Sequence, residues 1–452
     1  MRSYFIISLA LINEKSYNRR MILPAFKRDK WKELYRGLAG QLDWGNNTRL
    51  FLAGLLTLTP FMALSRLVAM STHILAGRWM GPDQYGLVGL TIAASKIWLL
   101  FISLGFFTVA YRIAALAPEK RPAAISTIVL SLVFWVGISL SVLLAFHAPL
   151  ARIFKVSPAV YFWSALYASS QISYGVAGNM LLGLQKFKAR GIIELCYALL
   201  VLSALGASFY LKPPLEFTAL LRAMTLGCAL GFFLCLYTLR EFLKPVFYFP
   251  TFRDVLAYTG PYLMGWGSMV GAESLVSLMV SWNLTPRDLG YFSAYQTAVF
   301  RPVLVAATIV GAVLGPISSA PERQEGAWKK FFRHGLAIFL LAFPLFFLAG
   351  SAMVKLMGQK YPLNLFWMAF FAAAGSFLFL SAFPATILNS RDSKSAWKAS
   401  FSAVFGSLLC AAVGFWAIPK WGIIGAALSL TFLYAGSFAW NCACGYLQLG
   451  EK

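Results

Sequence analysis

The sequence predicts an all-α polytopic membrane protein of about twelve transmembrane helices, arranged as two parallel six-helix repeats around a central cleft. Three observations predict it. Hydrophobic residues make up 59% of the 452 residues and charged ones 12%, with a mean hydropathy of +0.70, far more apolar than a soluble domain. Apolar runs of about 20 residues, long enough to cross a bilayer, recur along almost the whole chain. Short motifs also return, in the same order, in the second half of the chain.

The apolar runs fall at 50–78, 87–111, 123–146, 158–183, 191–211, 216–238, 255–281, 291–319, 334–355, 363–388, 395–418 and 421–445. Between the first two stands Gly81-Pro82-Asp83-Gln84-Tyr85-Gly86, and between the seventh and eighth Thr285-Pro286-Arg287-Asp288-Leu289-Gly290. Pro82 and Gly86 map onto Pro286 and Gly290 at an offset of 204, which also maps Pro158 onto Pro362 and Trp163 onto Trp367. The stretch 179–190 closes the fourth run as 385–396 closes the tenth. Six spans is an even number, so both halves keep one orientation, and repeats of that kind build many alternating-access transporters. The expected division is a basic N-terminal segment 1–49, a first bundle 50–245 and a second bundle 246–452.

The net charge of +23 reads as topology. About two-thirds of the 39 Lys and Arg fall on the side of the N-terminus, which the positive-inside rule makes cytoplasmic along with the C-terminus. A nucleic-acid partner is not expected; a phospholipid bilayer is, around a monomer. Residues 4–12 are apolar but lack a small-residue cleavage site, so no signal peptide is expected and Met21 competes with Met1 as the start. Trp31, Leu34, Tyr35 and Leu38 recur at helical spacing opposite Lys27, Arg28, Lys30, Lys32 and Arg36, as in a helix lying on an anionic leaflet; a basic tail is the alternative. The six cysteines lie within or at the ends of spans, and neither they nor His73, His147 and His334 have metal-site spacing. No metal or cofactor is expected. Loops on both sides are too short for a catalytic domain.

Prolines and charges inside the spans single out candidate functional residues. Pro60 and Pro261 sit in the pseudo-equivalent first and seventh spans, where each removes a helical donor and leaves a bending point. Gly265, Gly267 and Gly271 follow Pro261 and serve either that flexing or close helix packing. Arg66, Lys96 and Arg301 lie deep in the first, second and eighth spans; left in lipid, each would cost roughly 2.5–3.5 kcal/mol. They therefore line a polar cavity, and guanidinium forks suit phosphate oxygens, so a phosphate or pyrophosphate site is one expectation. Internal ion pairing is the other, with Glu273 as the partner for Arg66. Glu273, deep in the seventh span, is either a proton or sodium coupling site or a structural counter-ion. Glu194 is expected to pair with Arg190 one turn back, and Arg222 to snorkel outward.

At 75–86, Leu-Ala-Gly-Arg-Trp-Met-Gly-Pro-Asp-Gln-Tyr-Gly, at 288–294, Asp-Leu-Gly-Tyr-Phe-Ser-Ala, and at 422–427, Gly-Ile-Ile-Gly-Ala-Ala, the chain resembles the polysaccharide flippase families of the multidrug/oligosaccharidyl-lipid/polysaccharide exporter superfamily. The resemblance extends over 50–446. Trp79-Met80 replaces the family's usual small apolar pair and Thr285 replaces a glycine, which leaves the fold expectation intact. It implies a flippase that carries an undecaprenyl-pyrophosphate-linked oligosaccharide to the outer leaflet of a bacterial plasma membrane, partnered by a polysaccharide polymerase or ligase. Relatives that flip the peptidoglycan precursor place cations on the same three helices but commonly have fourteen spans; twelve favours the O-antigen or exopolysaccharide branch. A cation-coupled multidrug antiporter of the same superfamily is the alternative, disfavoured because deep cations outnumber the deep acid. A membrane-embedded glycosyltransferase or polymerase would need a carboxylate base beside a sizeable outer loop. Asp83 and Asp288 lie instead in tight turns.

Overall fold

The computed structural model describes residues 46–113, 118–211, 213–244, 246–318, 321–391 and 393–450. The candidate surface helix around Trp31 lies outside them. Every described element is helical. The helices are α1 (Asn46–Ser103), α2 (Phe106–Arg112), α3 (Arg121–Ala145), α4 (His147–Ile153), α5 (Pro158–Gly183), α6 (Phe187–Leu211) and α7 (Phe217–Leu239). There follow α8 (Phe249–Tyr262), a π-helical turn Leu263–Gly267, α9 (Ser268–Asn283), α10 (Pro286–Ser318), α11 (Pro321–Met357), α12 (Leu365–Arg391), α13 (Ser393–Trp421) and α14 (Ile423–Gly450). By its internal contacts, Gly54–Lys452 forms one unit.

Among the described residues nine helical stretches are long and apolar enough to cross a membrane, the first of them, Thr57–Ser103, holding two limbs. The limbs part at Gly81, whose φ of 77° lies where only glycine sits without strain; Pro82 then opens the second limb with its φ already set for a helix. Helices α5 and α10 are of spanning length but more polar, carrying Ser164, Ser169, Gln171 and Ser173, and Gln296, Thr297 and Arg301 respectively. With them and the second limb of α1, every one of the twelve expected spans has its helix.

Local chemistry sets the starts. The expected turn at Thr285-Pro286 is the first turn of α10, which therefore begins five residues earlier than the apolar pattern suggests. Thr285 Oγ1 accepts from the Asp288 amide at 3.2 Å, and the Asp288 carboxylate accepts from the Thr285 amide at 3.3 Å, a capping box with Pro at N1. Ser157 caps α5 through the Val160 amide at 3.3 Å. Asn364 caps α12 through the amides of Phe366 and Trp367 at 2.9 and 3.2 Å.

The two related turns meet in space. A Cβ on Gly86 would lie 2.8 Å from the Gly290 nitrogen, and one on Gly290 would lie 2.5 Å from the Pro82 carbonyl carbon. One turn further on, Gly89 makes room for the Ser293 side chain. Gly86 with Gly290 and Gly89 with Ser293 are both separated by 204 residues, so equivalent residues touch each other, as happens where a patch faces its own copy across a two-fold axis. Near the same end, Tyr361 donates to the Gly77 carbonyl at 3.1 Å and Trp282 Nε1 to the Phe154 carbonyl at 2.9 Å. Between α1 and α2, Gly105 allows the Val255 carbonyl of α8 to approach, and Phe107 of α2 lies against Tyr262 and Trp266.

Candidate functional site

Two polar contacts tie α1 to the second half of the chain about midway along the spans. Lys96 stands ten residues beyond Gly86 and Glu273 ten before Asn283, each roughly 15 Å from the turns at the helical rise. Lys96 Nζ donates to Glu273 Oε2 at 2.9 Å, and the other carboxylate oxygen accepts from the Tyr434 hydroxyl of α14 at 2.6 Å. Arg301, eleven residues beyond Gly290, donates through Nη2 to His73 Nε2 at 2.6 Å. An Nε2 that accepts carries no hydrogen, so the ring proton is on Nδ1, where it meets the Tyr85 hydroxyl at 3.1 Å. Tyr85 in turn donates to Thr297 Oγ1 at 3.5 Å. His73 is buried and Arg301 half-buried.

The two contacts are near-copies. Lys96 and Arg301 are 205 residues apart, and each reaches from the second helix of its half to the first helix of the other. The acceptors differ: a carboxylate for Lys96, an imidazole for Arg301. Among the described residues no carboxylate comes within ion-pairing distance of Arg301.

A third cluster lies within the first half. Arg190 Nη2 pairs with Glu194 Oε2 at 2.7 Å, as the one-turn spacing predicts, and the Tyr174 hydroxyl donates to the same carboxylate at 2.6 Å. The Arg190 guanidinium also lies 4.7 Å from the Tyr174 ring centroid, and Gly178 leaves the space it fills, since a Cβ there would come within 2.5 Å of Nη1. Arg66 approaches Glu194 Oε1 only to 3.9 Å, with half its side chain exposed (49%). The expected Arg66–Glu273 pair does not form. Arg66 is fifteen residues before Gly81, roughly 22 Å along the helix, too deep to meet a carboxylate that sits level with Lys96. Glu194, at the start of α6, is level with it instead.

Arg66, Lys96 and Arg301 are therefore not equally free. Lys96 is neutralised by Glu273. Arg66 shares one carboxylate with Arg190, which holds it more closely, and the charges of Arg66 and Arg301 are near enough to interact. The cluster of Arg66, Arg190 and Glu194 retains one net positive charge, and Arg301 adds another. A guanidinium presents five N–H donors, so an arginine whose contact is a single imidazole nitrogen keeps donors for a ligand.

Arg222 lies over the Trp163 ring at 5.6 Å, at the end of α5 that carries Ser157. Helix α1 runs through Pro60 without a break, whereas the π turn Leu263–Gly267 begins two residues after Pro261. Gly265 faces Ser400 and Gly271 faces Leu100, so close packing accounts for both. His147 and His334 are exposed. His73, Tyr85, Tyr174 and Tyr434 do not stand out in the sequence as site residues, because neutral side chains raise no alarm in an apolar span. One signal was available: His73 is seven residues from Arg66, on the same helix face.

Sequence and fold comparisons agree with this architecture. A model of the family described as polysaccharide biosynthesis protein matches residues 51–321. Two structures of a multidrug resistance MATE family transporter of the MOP superfamily superpose on the chain. The inward-facing one has a TM-score of 0.61 at 13% identity over 86% of this chain and 94% of that one. The outward-facing one has 0.62 at 14% identity over 91% and 99%. A MATE structure in the bent conformation gives 0.58 at 11% identity over 90% and 98%. No curated protein matches the sequence.

Proposed function

The chain belongs to the polysaccharide biosynthesis protein family, and on that premise we propose that it is a flippase, moving an undecaprenyl-pyrophosphate-linked oligosaccharide from the cytoplasmic to the outer leaflet of a bacterial inner membrane. The observation that carries the proposal is Arg301: a half-buried guanidinium midway along the spans, with no carboxylate in ion-pairing distance among the described residues, near the charge of Arg66. Cations in such a place attract an anion, and the pyrophosphate of a lipid carrier is one whose tail stays in the bilayer. The bundles 50–245 and 246–452 rock against each other about α1 and α8–α9, with Pro60 and Pro261 as bending points. Arg66 and Arg301 take the head group first. Lys96 joins them when Glu273 accepts a proton or a sodium ion in its place, which makes Glu273 the coupling site. The protein works as a monomer with both termini in the cytoplasm, hands its cargo to a polymerase or ligase, and needs no cofactor.

The test is a triple Arg66→Ala, Lys96→Ala, Arg301→Ala variant at normal membrane abundance, assayed for arrival of lipid-linked oligosaccharide at the outer leaflet. Transport should be lost, and full activity would refute the anion site. Drug extrusion is the second reading, favoured by Glu273, a deep acid bonded to an aromatic hydroxyl. A cationic drug would first have to displace Lys96. Unchanged susceptibility to cationic dyes on deletion of the protein argues for the flippase, and a marked rise in susceptibility for the antiporter.

A further inference from the structure

We propose that His73 is a proton-binding site linked to anion binding at Arg301, so that the protein takes up one proton at His73 as a phosphate group draws Arg301 away. The inference rests on the anion reading of Arg301 and adds a residue and a stoichiometry to it.

The geometry makes two events mutually exclusive. Nε2 of His73 has one lone pair, and Arg301 Nη2 occupies it at 2.6 Å. The opposite nitrogen is committed to Tyr85 at 3.1 Å. While that chain of contacts holds, the ring has nowhere to put a second proton, and an imidazolium beside an unneutralised guanidinium would be strongly repelled. If an anion takes the Arg301 donors, the lone pair is released. The anion then also supplies the negative charge that an imidazolium needs.

Among the described residues no carboxylate bonds to His73 or pairs with Arg301. From α1, His73 faces Tyr85, which itself bonds to Thr297 of α10; from α10, His73 faces Arg301. From the segment between α11 and α12 comes Tyr361, whose ring stands edge-on to Tyr85 at 6.3 Å and whose hydroxyl is spent on the Gly77 carbonyl. Beyond Arg301 lie Arg66, Tyr167 and Tyr197. The acids of this neighbourhood stand one residue further out: Glu194 acts on Arg66, Tyr167 and Tyr197, and Asp83, exposed at the turn, on Tyr361. Glu194 is already outnumbered by Arg66 and Arg190, so the bound anion is the counter-charge for a protonated His73. Each ligand favours the other, and by linkage the coupling is reciprocal.

The experiment uses the full chain in nanodiscs of neutral lipid and inorganic pyrophosphate as the probe. Binding is followed by calorimetry in buffers of different ionisation heat near about pH 6.5, where an imidazole titrates. His73→Gln still offers Arg301 an acceptor but cannot take a proton, so it should bind pyrophosphate with about one proton fewer taken up per ligand than the native protein. The ligand's own ionisation cancels in that difference. Equal proton counts in the two proteins would overturn this inference while leaving the anion site standing. No binding by the native protein would overturn the anion reading itself, and this inference with it. A readout that needs no variant is nitrogen-15 labelling of the chain's three histidines. Pyrophosphate should move the His73 signals from a ring protonated on Nδ1 alone to one protonated on both nitrogens, and unchanged signals at saturating ligand would also overturn it.

Discussion

Replacing Glu273 by Gln keeps a side chain that can accept from Tyr434 but leaves Lys96 without its counter-charge midway along the spans. At 2.9 Å the pair attracts by about 1.4 kcal/mol in a water-like dielectric and about 6 kcal/mol at an effective dielectric of 20. Lys96 keeps 34% of its side chain exposed and Glu273 13%, so water screens part of this and desolvation offsets more, leaving a coupling of about 1–3 kcal/mol. A double-mutant cycle isolates it: Glu273→Gln, Lys96→Met, and both together, each in the purified full chain. Each single variant should melt lower, since each strands the other charge. The double variant should melt about 1–3 °C above the value that additivity predicts, taking a little over 1 °C per kcal/mol for a chain of this size. Melting is followed by loss of the monodisperse peak in size-exclusion chromatography. Additive shifts would mean that Lys96 and Glu273 do not depend on each other, and the charge accounting above would be wrong.

The first-half cluster predicts a split between stability and transport. Arg190→Gln should be strongly destabilising, by about 3–5 kcal/mol, because it strands the buried Glu194 carboxylate; Arg66→Gln, half exposed, should leave the melting temperature nearly unchanged while lowering transport, which the same melting assay and an outer-leaflet cargo assay separate. Gly290→Ala should sharply reduce the yield of folded protein, since its Cβ would strike the Pro82 carbonyl, whereas Gly137→Ala, with nothing within 4 Å, should be neutral or slightly stabilising. Thr285→Ala removes the α10 cap and should cost about 1 kcal/mol, read as a lower melting temperature.

What the sequence makes legible follows from which physical costs are large. A span must be apolar for about 20 residues, so the helices announce themselves. Even the polar α5 and α10 are delimited by the motif repeat that Pro158 and Pro286 belong to. Depth along a helix is also legible, which is why Lys96 and Arg301 stand out as equivalents. Partner choice is not legible, because it depends on which helices lie level with each other. Arg66 sits beyond reach of Glu273 and meets Glu194, whose position near the start of α6 the sequence does give but whose proximity to α1 it does not. Neutral acceptors are the least visible of all, since a tyrosine or histidine in a span costs too little to mark it.

The repeat sharpens the meaning of that last point. If Lys96–Glu273 and Arg301–His73 are copies of one cross-half contact, the original device was a cation on the second helix of each half, held by an acceptor on the first helix of the other. A carboxylate holds its cation by charge, and releasing it requires that the carboxylate be neutralised. An imidazole holds its cation by one lone pair, and releasing it requires only a better acceptor. A phosphate oxygen is a better acceptor for a guanidinium than a neutral nitrogen, so under the proposed anion reading the Arg301 contact would yield to the ligand where the Lys96 contact would not. The two halves thus share one geometry with two release conditions. An acceptor swap tests this: His73→Glu should give Arg301 a carboxylate, raise the melting temperature and abolish pyrophosphate binding. Undiminished binding in that variant would show that Arg301 is not the group the anion needs.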